Sequence, residues 1–138
     1  MMIAMKEYLV AYPFLICVIV MILSEIIKHL FEGLTSNMWF QHGGMPSSHS
    51  AFTASLLFVV ADLEGMGSTQ FAIATVLAGI VWYDAGLVRS QVGRQAKALN
   101  VLQQFEEFSE RIGHSLAEVV GGIIFGSLIT IWLISWIR

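Results

Sequence analysis

Charge is what this chain of 138 residues has least of. Lys, Arg, Asp and Glu together make 12% of it, where an ordinary soluble domain carries about 25%. Hydrophobic residues make 57% and mean hydropathy is +0.75, which argues against a soluble globular domain and for an integral membrane protein. Net charge is −3, so no basic surface is available to draw in nucleic acid, and none is expected as a partner. There is one cysteine, Cys17, so no disulfide can close within the chain. Lying in an apolar run, Cys17 reads as a packing or lipid-facing residue. No Cys/His cluster has zinc-ligand spacing, and carboxylates do not gather as a magnesium site requires. The expected chemistry therefore uses no metal and no cofactor. Internal repeats and low-complexity segments are also missing, and the length implies one domain.

What the chain does have is four apolar stretches. Residues 9–27 are nearly uninterrupted apolar sequence, close to the roughly 20 residues a membrane helix needs. The run exceeds the apolar region of about 7–15 residues in a signal peptide, and it ends in Ser24-Glu25-Ile26-Ile27-Lys28-His29 rather than in small residues. Pro13 falls in its first turn, where a missing N–H costs little. A second helix is expected over 48–63. It is short for a crossing and compatible with a re-entrant segment, and the polar turn from Asp62 to Ser68 closes it. Residues 71–88 and 116–137 supply the third and fourth stretches. The one polar region lies between them. In it Val92, Ala96, Leu99, Leu102, Phe105, Phe108 and Ile112 recur at steps of three or four, the stripe of an amphipathic helix over about 90–112 that lies on the bilayer or packs over the bundle. The fold expected is all-α: a polytopic membrane helix bundle of about four transmembrane helices plus an amphipathic interfacial helix, in a single integral membrane domain over 1–138.

Four crossings sort the polar groups onto two faces. Lys28, the turn at 43–50, Asp84, Arg89, the amphipathic region and His114 fall on one side. The N-terminus, the 62–69 turn and Arg138 fall on the other. Aromatic residues follow the same division, with Tyr8, Tyr12, Trp132 and Trp136 at one interface and Trp39, Trp82 and Tyr83 at the other. The site side holds five Lys/Arg against Lys6 and Arg138 opposite, which by the positive-inside rule favours a cytoplasmic face. The expected location is a bacterial inner membrane.

The run Gly43-Gly44-Met45-Pro46-Ser47-Ser48-His49-Ser50 breaks the apolar pattern. Its glycines, Gly44 among them, free the backbone, and its proline sets a turn that opens a helix. The free N–H groups there, at the positive end of the helix dipole, suit an anion, above all phosphate. His49 can exchange a proton near neutral pH, or it can simply be a polar residue at a helix cap. His114 and Glu118 stand four apart at the start of the fourth helix, on one face. A Glu118 carboxylate bonded to one ring nitrogen leaves the other as a nucleophile or base; the plainer reading is a structural hydrogen bond, but ionisable residues at membrane depth are costly and commonly functional. Lys28 and Arg89, at helix ends, are the expected phosphate partners, with Arg94, Lys97 and Arg111 on the same side and arginine's fork suited to phosphate oxygens. Asp84, five residues before Arg89, can orient a cation or be a helix-end carboxylate. His29 and His42 read as interfacial.

Together these residues resemble the type 2 phosphatidic acid phosphatase and vanadium haloperoxidase superfamily. Pro46-Ser47-Ser48-His49 is similar to its P-S-G-H motif, with serine for glycine. His114 to Glu118 is similar to its H-x-x-x-D motif, with glutamate for aspartate, and Lys28 is placed like its first-motif lysine. The divergent branch fits more closely. Gly43 to Ala51 resembles that branch's most specific signature, and Tyr83-Asp84-Ala85-Gly86-Leu87-Val88-Arg89 resembles its D-A-x-G-V-R-R element. Gly93, Gln95-Ala96, Leu99-Asn100 and Gly113-His114 continue the likeness, which covers about 24–126. Two departures stand out. No arginine and proline follow Lys28 before the turn, and Phe108 occupies the place of an arginine six residues before His114.

The resemblance implies phosphomonoester or diphosphate hydrolysis through a phosphohistidine. In that scheme His114 attacks phosphorus, Glu118 holds the imidazole, and His49 protonates the leaving oxygen. Lys28, Arg89 and the N–H groups of Ser47 and Ser48 bind the phosphate, supported by Asp84, Arg94, Arg111 and Gly44. The expected partners are the bilayer and a membrane lipid phosphate substrate. Two alternatives stay open: a membrane protein of the same fold that binds phosphate or a lipid headgroup without turnover or serves transport, and a purely structural bundle. Gly122 and Gly126 form a small-xxx-small step that fits either a homodimer or packing within one chain.

Overall fold

The computed structural model describes residues 2–32, 44–102, 105, 107–110 and 112–138, with side chains in the first stretch from Lys6 to Leu30. Trp39, His42, Gly43 and Arg111 lie outside the described residues. The described elements are α1 (Met2–Ala11), α2 (Phe14–Glu32), α3 (Ser48–Glu64), α4 (Thr69–Tyr83), a π turn (Asp84–Val88), α5 (Arg89–Leu102) and α6 (Leu116–Ile137). The fold is all-helical. Among the described residues, two helical runs are long and apolar enough to cross a membrane: Thr69–Leu102, of 34 residues and continuous through the π turn, and Leu116–Ile137, of 22.

The short helix α3 is the centre, and its sequence explains why. Ser48, Ser50, Ala51, Thr53, Ala54, Ser55 and Val59 are all buried, and all but Val59 are small or carry a hydroxyl. Such a surface lets neighbouring backbones come close, and hydroxyls supply bonds where no water is present. α2, α4 and α6 pack against it. On α6 the closest approach falls at Gly122 and Gly126, where an added Cβ would meet the Ser47 and Ala51 carbonyls. Farther along, Thr130 donates to Ser55 at 2.7 Å. The small-xxx-small step is therefore occupied within the chain. Leu9, Ile16, Cys17, Val20, Val59 and Leu133 form the apolar core around it.

Three boundaries differ from the expected ones. The apolar stretch 9–27 is not one helix: α1 ends at Ala11 and α2 begins at Phe14, because Pro13 has no N–H to continue the ladder. The third helix does not stop at 88 but runs on through the π turn into α5. The amphipathic helix over 90–112 ends at Leu102, and 107–110 and 112–115 are not helical. The bulky stripe is correspondingly outside: Val92, Leu99, Leu102, Phe105 and Phe108 are exposed, while Gly93 and Ala96 are buried. The segment before His114 lies back along α5. An added Cβ at Gly93 would stand 2.7 Å from the Glu110 carbonyl. The Asn100 side chain bonds both backbone groups of Phe108, each at 2.9 Å, as a strand partner would.

Candidate functional site

α3 opens at the Met45-Pro46-Ser47 turn. Ser47 is the N-cap: its hydroxyl accepts from the Ser50 amide at 3.5 Å and the Ser50 hydroxyl at 3.0 Å. Its own amide donates to the Glu118 carbonyl at 3.1 Å. Ser47 is thus committed to joining α3 to α6. The amides of Ser48 and His49 remain as the first donors of the helix. Gly44 adopts φ 95° just before the turn, the left-handed region that favours glycine. Trp82 Nε1 donates to Thr53 Oγ1 at 2.9 Å, and Thr53 in turn donates to the His49 carbonyl at 2.9 Å.

α6 opens with a capping box. The Ser115 hydroxyl caps the Glu118 amide, and Glu118 Oε2 accepts from the Ser115 amide at 2.9 Å. The same oxygen lies 3.2 Å from His114 Nδ1. One carboxylate therefore both starts the helix and orients the imidazole, leaving Nε2 available for chemistry. His114 is buried. Burial holds its pKa below the usual histidine value; the Glu118 bond and charge work against that, and the Lys28 and Arg89 charges reinforce it.

Asp84 Oδ2 accepts from Arg89 Nε at 2.7 Å, so Asp84 orients this arginine. On α2, Lys28 is 8% exposed and its Nζ lies 3.1 Å from Glu25 Oε2. The other Glu25 oxygen accepts from the Ser48 hydroxyl, and His29 Nε2 stands 4.0 Å from the pair-forming oxygen. His49 is exposed and lies within electrostatic reach of Arg89, His114, Glu25 and Lys28. His49, His114, Glu118, Lys28, Ser48, Arg89 and Asp84 are thereby brought to one end of the bundle. The opposite end is marked by the Arg138–Asp62 ion pair. Arg94 is exposed on α5 and joins no bond of the cluster among the described residues.

Glu25 and Ser115 are the members that motif reading passed over. Both left a local signal: Glu25 stands three residues before Lys28, and Ser115-Leu116-Ala117-Glu118 is the S-x-x-E of a capping box. The π turn left none.

A profile of the Divergent PAP2 family matches residues 7–129. The chain is also similar to a protein of Bacillus subtilis (strain 168) named "Uncharacterized membrane protein YuiD", with 30% identity over 92% of this chain and 96% of that one. No solved structure matches. On a match that covers α2 to α5 whole and parts of α1 and α6, and includes the turn at 44–50 and both histidines of the cluster, the chain belongs to the Divergent PAP2 family.

Proposed function

We propose that this membrane protein is a phosphatase that hydrolyses a lipid phosphate or diphosphate through a phosphohistidine. The observation that carries the reading is the His114–Glu118 pair, with Nδ1 held at 3.2 Å, standing at the bundle end that also holds His49, Lys28 and Arg89. His114 Nε2 attacks phosphorus while the bond to the leaving oxygen breaks and His49 gives that oxygen a proton. His49 then takes a proton from water as the water oxygen attacks phosphorus, the P–N bond breaks and phosphate leaves. Lys28, Arg89 and the Ser48 and His49 amides stabilise the equatorial oxygens, the main demand of phosphoryl transfer. A lipid substrate keeps its tails in the bilayer while its headgroup enters the polar end. Phosphatidic acid, phosphatidylglycerophosphate and a polyprenyl diphosphate all meet this condition. The excess of Lys and Arg on this side favours a site at the cytoplasmic face of a bacterial inner membrane.

The test is phosphate release from lipid phosphates by the purified protein with a chelator present. His114→Ala and His49→Ala should each remove most of the activity, and wild-type rates in both would sink the assignment. One observation favours a second reading, binding of phosphate or a headgroup without turnover: Phe108 stands where the superfamily's motif has an arginine six residues before His114. Equilibrium binding of vanadate with no hydrolysis would select it.

A further inference from the structure

Three basic groups at the site are each tied to a carboxylate close by in the chain: Lys28 to Glu25, Arg89 to Asp84, and His114 to Glu118. Asp84 and Glu118 stand five and four residues from the groups they hold, and their side-chain contacts stay within those short spans. Glu25 reaches further. One oxygen lies 3.1 Å from Lys28 Nζ on its own helix, and the other accepts from the Ser48 hydroxyl on α3. Ser48 is the first residue of α3, and its amide is one of the open donors at the turn. Glu25 therefore fixes two elements of the phosphate corner to each other, and no motif of the chain assigns it a role.

The consequences for chemistry have opposite signs. Lys28 carries its charge on a flexible four-carbon stem, and an anchored ammonium in a mostly buried position cannot wander from where a phosphate oxygen must lie. That favours turnover, which depends on orientation. Yet the anchor is itself an anion. A full negative charge beside the corner opposes a dianion entering it, and near a protein surface such an interaction over a few ångströms is not small.

We propose that Glu25 is a positioning residue of the phosphate site: it locks Lys28 and the first turn of α3 in one geometry, and it weakens the site's hold on a bare anion. The kinetic half of this inference rests on the phosphatase reading; the binding half does not. A merely structural role would lower binding, turnover and thermal stability together. Positioning separates them.

The experiment compares the wild-type chain, Glu25→Gln, Glu25→Asp, Lys28→Met and the double variant of Glu25→Gln with Lys28→Met, all in detergent. It measures the Kd for orthovanadate by calorimetry, kcat on phosphatidic acid in mixed micelles, and the melting temperature. Glu25→Gln removes the charge and keeps an acceptor for Ser48, so it should tighten vanadate about threefold or more. It should also lower kcat about tenfold as Lys28 loses its anchor. Glu25→Asp keeps the charge on a shorter arm, and should leave vanadate affinity within about twofold while lowering kcat. In the Lys28→Met background, Glu25→Gln should change kcat by less than about twofold, because Glu25 acts through Lys28. Vanadate binding that is unchanged, weakened or undetectable in Glu25→Gln overturns the proposal. So does an unchanged kcat in an active protein, a loss that multiplies with Lys28→Met, or a collapse of melting temperature in both Glu25 variants. If the wild type hydrolyses no lipid phosphate, the phosphatase reading fails by itself, and the vanadate comparison still decides the role of Glu25.

Discussion

The carbonyl of Ala85 accepts the backbone N–H of His114 at 3.0 Å. In an α-helix that carbonyl would belong to the amide four residues on, Arg89. Here the Arg89 amide reaches back to the Asp84 carbonyl instead, so the π turn leaves the Ala85 oxygen free for the incoming strand of chain. The same turn begins with Asp84, whose carboxylate holds the Arg89 guanidinium at 2.7 Å. One widened turn thus docks the candidate nucleophile and aims a candidate phosphate ligand, in keeping with the frequent occurrence of π bulges at functional sites.

The residue next to that bond should be intolerant of any side chain. Gly113 has φ 101°, and a Cβ on it would lie 2.6 Å from the Ser90 amide nitrogen and 2.7 Å from the Arg89 carbonyl carbon. Both neighbours are backbone and cannot rotate away. Gly113→Ala should therefore cost about 2–4 kcal/mol and push His114 off Ala85. Melting in detergent and phosphate release should fall together. A variant with wild-type melting and rate would show that His114 does not depend on this docking.

Glu118 has two duties that substitution can separate. Glu118→Gln keeps an oxygen for the Ser115 amide but removes the charge facing His114 Nδ1. The helix should remain, with stability within about 1 kcal/mol of wild type, while the rate falls about tenfold or more. Ser115→Ala reverses the pattern. It removes the cap, costing about 1 kcal/mol, and leaves the imidazole's partner in place. Equal rate losses in the two variants would mean that Glu118 serves the helix alone.

Acid should switch the reaction off later than an ordinary histidine would. Attack needs neutral His114, and burial, with the Lys28 and Arg89 charges, holds its pKa below the usual value. The acid limb of kcat/KM should therefore lie below about pH 6.5. Removing the Glu118 charge takes away the influence that raises the pKa, so Glu118→Gln should move the limb further to acid. The sign carries over to stability. The unfolded chain protonates His114 from about pH 6.5 downward, and the folded one resists. Stability from this group is thus complete above that pH and is lost as pH falls through the folded value. A limb at or above pH 6.5 would remove His114 from the nucleophile's place.

How much of this was legible follows from the range of each interaction. The turn at 44–50, the start of α3 at Ser48 and α6 over Leu116–Ile137 are set by local chemistry: a proline, hydroxyl caps and an unbroken apolar run. The His114–Glu118 pairing is one helical step, and Asp84–Arg89 is hardly more. The end of α5 was not legible. Its stripe of Val92, Leu99 and Leu102 has helical spacing, but at Gly93 the neighbour across α5 is the backbone of Glu110 and Ile112, which leaves no room for bulk. The register of Asn100 on Phe108 and the free carbonyl of Ala85 are likewise contacts of one chain segment with another. No periodicity in either segment encodes them. Glu25 lay in plain view beside Lys28, but its importance comes from Ser48, on a different helix.

The central packing makes a contrast between two glycines. At Gly126 a Cβ would run into the backbone of Ala51 on α3, whereas at Gly79 on α4 it would meet nothing within 4 Å. Both are helix-interior glycines, so intrinsic propensity favours alanine at each by up to about 1 kcal/mol. At Gly79 that preference should act alone, and Gly79→Ala should be neutral or slightly stabilising. At Gly126 the α3–α6 crossing must open, costing about 1–3 kcal/mol or more. The opening also lies one helical turn from Gly122, which abuts the Ser47 carbonyl, so the bond from Ser47 to the Glu118 carbonyl should loosen and the rate should drop with stability. Denaturant titration and phosphate release in the same micelles would read both quantities. Comparable melting for the two alanine variants would show that α3 does not depend on the small face of α6 for its place at the centre of the bundle.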